Sequence, residues 1–139
     1  MAGDTGNGAT LVLATTGAVG DIQSMTLPEW TLDAIEDSHL GTTNFKTFIA
    51  SDLADPGQLT ATIVSSSTVA FAAPTGVAET VTVTWPIGTS GNTVAATFIG
   101  TGFITSKKLP DLANGALQVR TLTVKYNGQT EPAYTVEAA

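Results

Sequence analysis

The sequence predicts a mainly β fold: a β-sandwich or open barrel with at most one short flanking helix. Three observations carry this. Threonine supplies 25 of the 139 residues, and β-branched side chains suit a pleated, half-buried surface. Apolar residues alternate with threonine along Leu59, Ala61 and Ile63, and again along Val81, Val83 and Trp85. That period of two marks strands with one face in a core. Gly, Pro and Asn break the chain at short intervals, as turns do.

Taken in order, residues 1–9 are rich in Gly, Asp, Thr and Asn and read as a flexible arm. Leu11 to Ala14 form a short apolar run, punctuated by Gly17 and Gly20. Asp21 to Leu32 reads as an extended segment broken or bulged at Pro28, which cannot donate to a ladder. Residues 37–57 read as one long polar loop, interrupted by Phe45, Phe48 and Ile49 and closed by Asp55-Pro56-Gly57. A loop of that length far exceeds the usual ~4–6 residues, and such loops tend to be functional.

The strand around Leu59 follows, then the one around Val81. Ser65 to Ala78 between them is rich in Ser, Ala and Thr and fits either a short helix or a loop. Asn92 to Ile104 contains a third strand, in which Gly100 and Gly102 predict a bulge or a close backbone approach. Leu109 to Leu117 has room for a turn or two of helix, limited by Pro110, Asn114 and Gly115. Leu117 and Val119 share one parity and Leu122, Val124 and Tyr126 the other, which predicts a bulge or a strand buried on both faces. Asn127-Gly128 predicts a tight hairpin turn returning into Ala133 to Val136.

Charge is scarce and uneven. Only 12% of residues are charged, about half the usual quarter. The net charge is −7, and all of that excess lies in residues 1–55, where eight carboxylates face Lys46 alone. Such a chain has no basic footprint for gripping nucleic acid. Mean hydropathy is nevertheless positive, at +0.22, with no run approaching the ~18 apolar residues of a membrane helix. A short chain this apolar and this weakly charged is expected to bury surface against other copies of itself. Met1-Ala2-Gly3-Asp4 shows no basic or apolar leader, so no secretion signal is expected.

Catalytic and metal chemistry find little support. Cysteine is absent and His39 is the one histidine, which excludes thiolate and multi-histidine metal sites. Asp37, Ser38 and His39 are adjacent, whereas triad members converge from distant positions. Asp33, Glu36 and Asp37 read as a solvated acidic turn, without the ligand pattern of a calcium loop. The glycines at 3, 6 and 8 lack the Lys-Ser/Thr of a phosphate loop. Trp30 and Trp85 read as core or interface anchors. No enzyme activity, cofactor or metal is expected.

One family fits the order of these features. Asp21-Ile22-Gln23-Ser24-Met25-Thr26-Leu27 leads through Trp30-Thr31-Leu32-Asp33 into the acidic turn Glu36-Asp37-Ser38-His39-Leu40-Gly41. The long loop then ends near Asp55-Pro56-Gly57, ahead of the strand from Leu59 to Val64. Val94 to Ser106 and a last strand from Leu117 to Lys125 complete the pattern, ending at Asn127-Gly128. Over about residues 10–128 this resembles the tail tube (major tail) proteins of long-tailed, lambda-like phages.

The resemblance implies one tail-tube domain over residues 1–139. Six copies would form a ring-shaped continuous β-barrel, and rings would stack into a hollow tube through which the genome passes. The partners it implies are further copies of the chain, tail terminator and tail-tip proteins, and phage DNA in transit without specific binding, with no membrane. The protein would belong to the virion, after assembly in the host cytoplasm. The loop carrying Asp37, His39, Phe45, Phe48, Ile49, Asp52 and Asp55 would stack ring on ring. Asp21, Glu29 and Asp33 are the candidates for lumen-facing carboxylates. The alternatives are a capsid decoration protein, a pilus-like β-sandwich, or a carbohydrate-binding sandwich using Trp30, Trp85, Tyr126 and Tyr134.

Overall fold

The computed structural model describes residues 8–15, 17–64, 74, 76–88 and 90–139. Within them the fold is all-β, with no helix. The strands are β1 (Thr10–Leu13), β2 (Gly17–Ala18), β3 (Ile22–Thr26), β4 (Thr31–Glu36), β5 (Phe48–Asp55), β6 (Gln58–Val64), β7 (Glu79–Thr84), β8 (Thr97–Lys108), β9 (Val119–Tyr126) and β10 (Ala133–Thr135). One antiparallel sheet runs β2-β1-β7-β8-β9-β6-β3, with β10 added beside β8; β4 and β5 form a separate two-stranded ribbon.

The alternation in the sequence becomes the two faces of the large sheet. Leu59, Ala61 and Ile63 on β6, Val81 and Val83 on β7, and Leu122, Val124 and Tyr126 on β9 are all buried. They join Leu11, Leu13, Val19, Phe98 and Ile104 in one core. A single sheet can enclose such a core only by curling until its two wings face each other. The terminal strands β2 and β3 do not pair, so the result is an open barrel, not a closed one.

The curl is made at β8. Its first half, Thr97–Gly102, pairs with β7, and its second half, from Gly102 to Lys108, pairs with β9. Gly100 and Gly102 sit where the wings meet. A Cβ on Gly100 would lie 2.6 Å from the Tyr126 ring, and one on Gly102 would lie 2.7 Å from the Lys125 carbonyl oxygen. These glycines therefore permit close approach, as the sequence predicts. The Tyr126 ring occupies the vacated space and meets Phe98 edge-on at 5.4 Å. Burial pushes the Tyr126 phenol pKa up.

Several expectations are corrected. The loop expected over residues 37–57 is shorter: Phe48–Asp55 is a strand, and only residues 37–47 remain as a connection. β9 has no bulge, because its register with β6 is unbroken from Val119 to Lys125. Leu117 lies outside the strand, and Arg120 takes the inward position that breaks the apolar parity. The chain after Asn127-Gly128 does not return along β9. The Asn127 side chain instead accepts the Gln129 N–H, and β10 crosses to pair with Thr97–Ile99 of β8. Leu109 to Leu117 holds one turn and no helix. Residues 1–7 of the expected arm, and residues 65–73 and 75 within Ser65 to Ala78, lie outside the described residues.

Candidate functional site

The β4–β5 ribbon is the distal continuation of the β3–β6 pair. Thr26 pairs with Thr60 in the sheet, and the next pairing along the ribbon is Thr31 with Asp55. Between them Pro28 interrupts one strand and Pro56-Gly57 the other. Neither proline can donate to a ladder, so sheet pairing stops and the ribbon leaves the body. Gly57 is required at this root. Its φ is +79°, and a Cβ there would lie 2.7 Å from the Glu29 carbonyl oxygen.

Beyond its root the ribbon makes no extensive contact with any other strand among the described residues. It exposes apolar side chains on both faces, beside Glu36 on one and Asp55 on the other. Opposed residues in an antiparallel pair share a face, so Leu32, Ala34, Phe48, Ala50 and Ala54 lie on one side, and Ile35 and Ile49 on the other. Phe48 and Ile49 are 57% and 51% exposed, and at the connection Phe45 is 83% exposed. An isolated two-stranded hairpin is marginal in water at best. One with apolar side chains on both faces needs a cover on both.

The expected stacking residues divide accordingly. Phe48, Ile49, Asp52 and Asp55 stand on β5, whereas Asp37, His39 and Phe45 belong to the connection. The connection is locally ordered: the Thr42 hydroxyl accepts the His39 N–H at 2.9 Å, His39 Nδ1 accepts the Gly41 N–H at 3.0 Å, and Ser38 Oγ accepts the Thr47 N–H at 2.9 Å. His39 thus works as a turn residue. The expected lumen carboxylates are not brought together. Asp21 precedes β3, Glu29 lies at the ribbon root and Asp33 is on β4. Among the described residues, no three His, Cys, Asp or Glu side chains converge as a metal site would need.

Asp55 ties the root to the sheet. Its carboxylate receives Lys125 Nζ at 2.6 Å and the Gly57 N–H at 2.8 Å, tying β5 to β9 across the sheet edge. The Lys125 hydrogen bond, followed by the Gly57 N–H, holds the Asp55 pKa below the usual aspartate range. A depressed carboxyl contributes above its unfolded pKa of about 3.9 and loses that contribution as pH falls through the lowered folded value. The pair is exposed, so global stability depends little on it. Asp55→Ala, which removes the acceptor, is expected to speed hydrogen exchange at the Gly57 amide at neutral pH, and to leave the core amides unchanged. Wild-type protein should lose the Lys125 ion pair only in acid, below about pH 4. Equal exchange at Gly57 in both proteins at pH 7 would refute this role.

An aromatic cleft adjoins the root and brings together Trp30, Trp85 and Tyr134 of the four aromatics named from the sequence, while Tyr126 lies in the core. Leu27, Pro28, Trp30, Trp85, Phe98 and Tyr134 line it. Trp85 meets Tyr134 edge-on at 5.4 Å, and Trp30 lies 6.2 Å from Phe98. These residues come from four separate stretches of chain, so no local pattern announces them. Trp30 also borders Ala54 in a second hollow, whose lining includes Asp55 and Glu131.

No protein-family model matches the chain, and no curated protein matches it in sequence. Among solved structures, the fold is similar to that of a chain in a cryo-EM structure of the anti-feeding prophage (AFP) baseplate, 6-fold symmetrised. What the two share is the fold. Identity is 12%, the match covers 92% of this chain and 91% of that one, and the TM-score is 0.66.

Proposed function

We propose that this chain is a structural protein of a phage-tail-like particle, built to assemble with copies of itself. In its finer form, the proposal is a tail tube protein whose rings of six copies stack into a hollow conduit for the genome. The observation that carries it is the β4–β5 ribbon, which exposes apolar side chains on two faces and has no cover within the described chain. A surface patterned in this way calls for protein on both sides, as a ring or stack of copies provides.

The fold likeness to a chain of a baseplate solved with six-fold symmetry supports a tail over the capsid-decoration and pilus-like alternatives. Low charge supports a chain whose surface is largely interface. In this reading the protein resides in the virion, has no catalytic role, and meets terminator and tip proteins at the tube ends. Negative-stain microscopy of the purified full chain tests it. Hollow tubes or stacked rings are expected. Monomers at every concentration, or discrete trimers, would count against it.

A further inference from the structure

The tip and the root of the β4–β5 ribbon are complementary. At the tip the chain makes a three-residue turn about Asn44. Its φ is +69°, and the Phe45 N–H donates to the Thr43 carbonyl oxygen at 2.9 Å. That is the rarer, strained form of the γ-turn, and such strain clusters at ligand clamps and switch regions. What the turn holds out is Phe45, exposed, followed by Lys46, also exposed. Lys46 is the one lysine or arginine in residues 1–55. It has no ion-pair partner among the described residues.

At the root, the aromatic cleft encloses about 350 Å³ between Trp30, Trp85, Phe98 and Tyr134. An apolar cavity of about 150 Å³ already holds benzene, so a phenyl ring fits the cleft. Aromatic walls favour such a ring in edge-on or offset contact. On the other side of Trp30, the second hollow is lined by Glu131, an exposed carboxylate with no ion-pair partner among the described residues. Asp55 beside it is already engaged by Lys125. The root thus offers an apolar cleft and an open carboxylate on the two sides of one indole, and the tip offers a ring and an ammonium on consecutive residues.

We propose that the ribbon tip of one copy docks at the ribbon root of the next, with Phe45 in the aromatic cleft and Lys46 on Glu131. This rests on the assembly reading and names its contact. A copy cannot fill its own cleft. From the root pair Thr31–Asp55 to the pair Glu36–Phe48 the ribbon runs five residues, about 17 Å at ~3.4 Å per residue, and the tip lies beyond. Tip and root are different surfaces of the chain, so the contact is head-to-tail, the kind that closes into a ring or continues as a filament. Glu36 and Asp37 lie near the tip as well. Like charge disfavours any pose that brings them, rather than Lys46, to Glu131.

Both tryptophans of the chain, Trp30 and Trp85, line the cleft, so intrinsic fluorescence of the full chain reads its occupancy. On assembly of the wild type, tryptophan emission should shift to shorter wavelength and lose its quenching by acrylamide. Charge reversal then identifies the occupant. Lys46→Glu alone and Glu131→Lys alone should each raise the concentration needed for assembly about tenfold or more, because like charges then meet at the contact. The two together should restore assembly. Both positions are exposed, so circular dichroism of the dissociated protomers should be unchanged. Assemblies whose tryptophans stay as open to acrylamide as in protomers would overturn this docking and leave the assembly reading standing. So would single variants that assemble like wild type, or a double variant no better than the singles. Wild-type protein that stays monomeric at every concentration would remove the assembly reading, and this contact with it.

Discussion

Replacing Phe45, Phe48 and Ile49 together by Ser is expected to abolish assembly while leaving the β-barrel folded. The three side chains sit on the connection and on both faces of the β4–β5 ribbon, and more than half of each is exposed. Full burial of such a side chain is worth about 1.5–3 kcal/mol. Half of that remains to be gained on docking, so the triple variant loses about 2–5 kcal/mol per copy. Each ~1.4 kcal/mol is tenfold in affinity, so the concentration needed for assembly should rise at least ~30-fold. None of the three belongs to the core, so far-ultraviolet circular dichroism and the unfolding midpoint of the dissociated protomer should be unchanged. Normal tubes from this variant would show that the ribbon is not the assembly element.

Gly100→Ala is expected to destabilise the protomer by about 1–3 kcal/mol, the usual cost of forcing extra volume into a packed core. The added carbon would lie 2.6 Å from two atoms of the Tyr126 ring and 3.3 Å from Pro132. The ring cannot swing away, because Tyr126 is 1% exposed and locked edge-on against Phe98. Chemical denaturation of the dissociated protomer gives the loss directly. Its cause is tested in a Tyr126→Leu background, where the same substitution should cost less, since contacting residues couple in a double-mutant cycle. An equal cost in both backgrounds would place the strain somewhere other than this ring.

The parts of the fold that were legible in the sequence are those where one face of a strand is buried. Leu59–Ala61–Ile63 and Val81–Val83 alternate with threonine because one side meets the core and the other meets water. Gly100 and Gly102 announce the close approach at β8 because only a residue without Cβ fits there. β5 stayed hidden for the opposite reason. Both of its faces are exposed, so nothing imposes a period of two, and Asp52 and Asp55 make Phe48–Asp55 look like loop. Phe45, Phe48 and Ile49 stood out as anchors all the same, because large apolar residues amid carboxylates need a partner. The pairing of β10 with β8 and the aromatic cleft depend on residues far apart in the chain. Local patterns cannot encode either.

A density map of the assembled wild-type protein, at a resolution that traces strands, tests the central claim most directly. The account predicts that each β4–β5 ribbon lies between neighbouring copies, with Phe48 on one face and Ile49 on the other both covered by protein. Ribbons projecting freely into solvent from a complete tube, or folded back onto their own barrels, would contradict it.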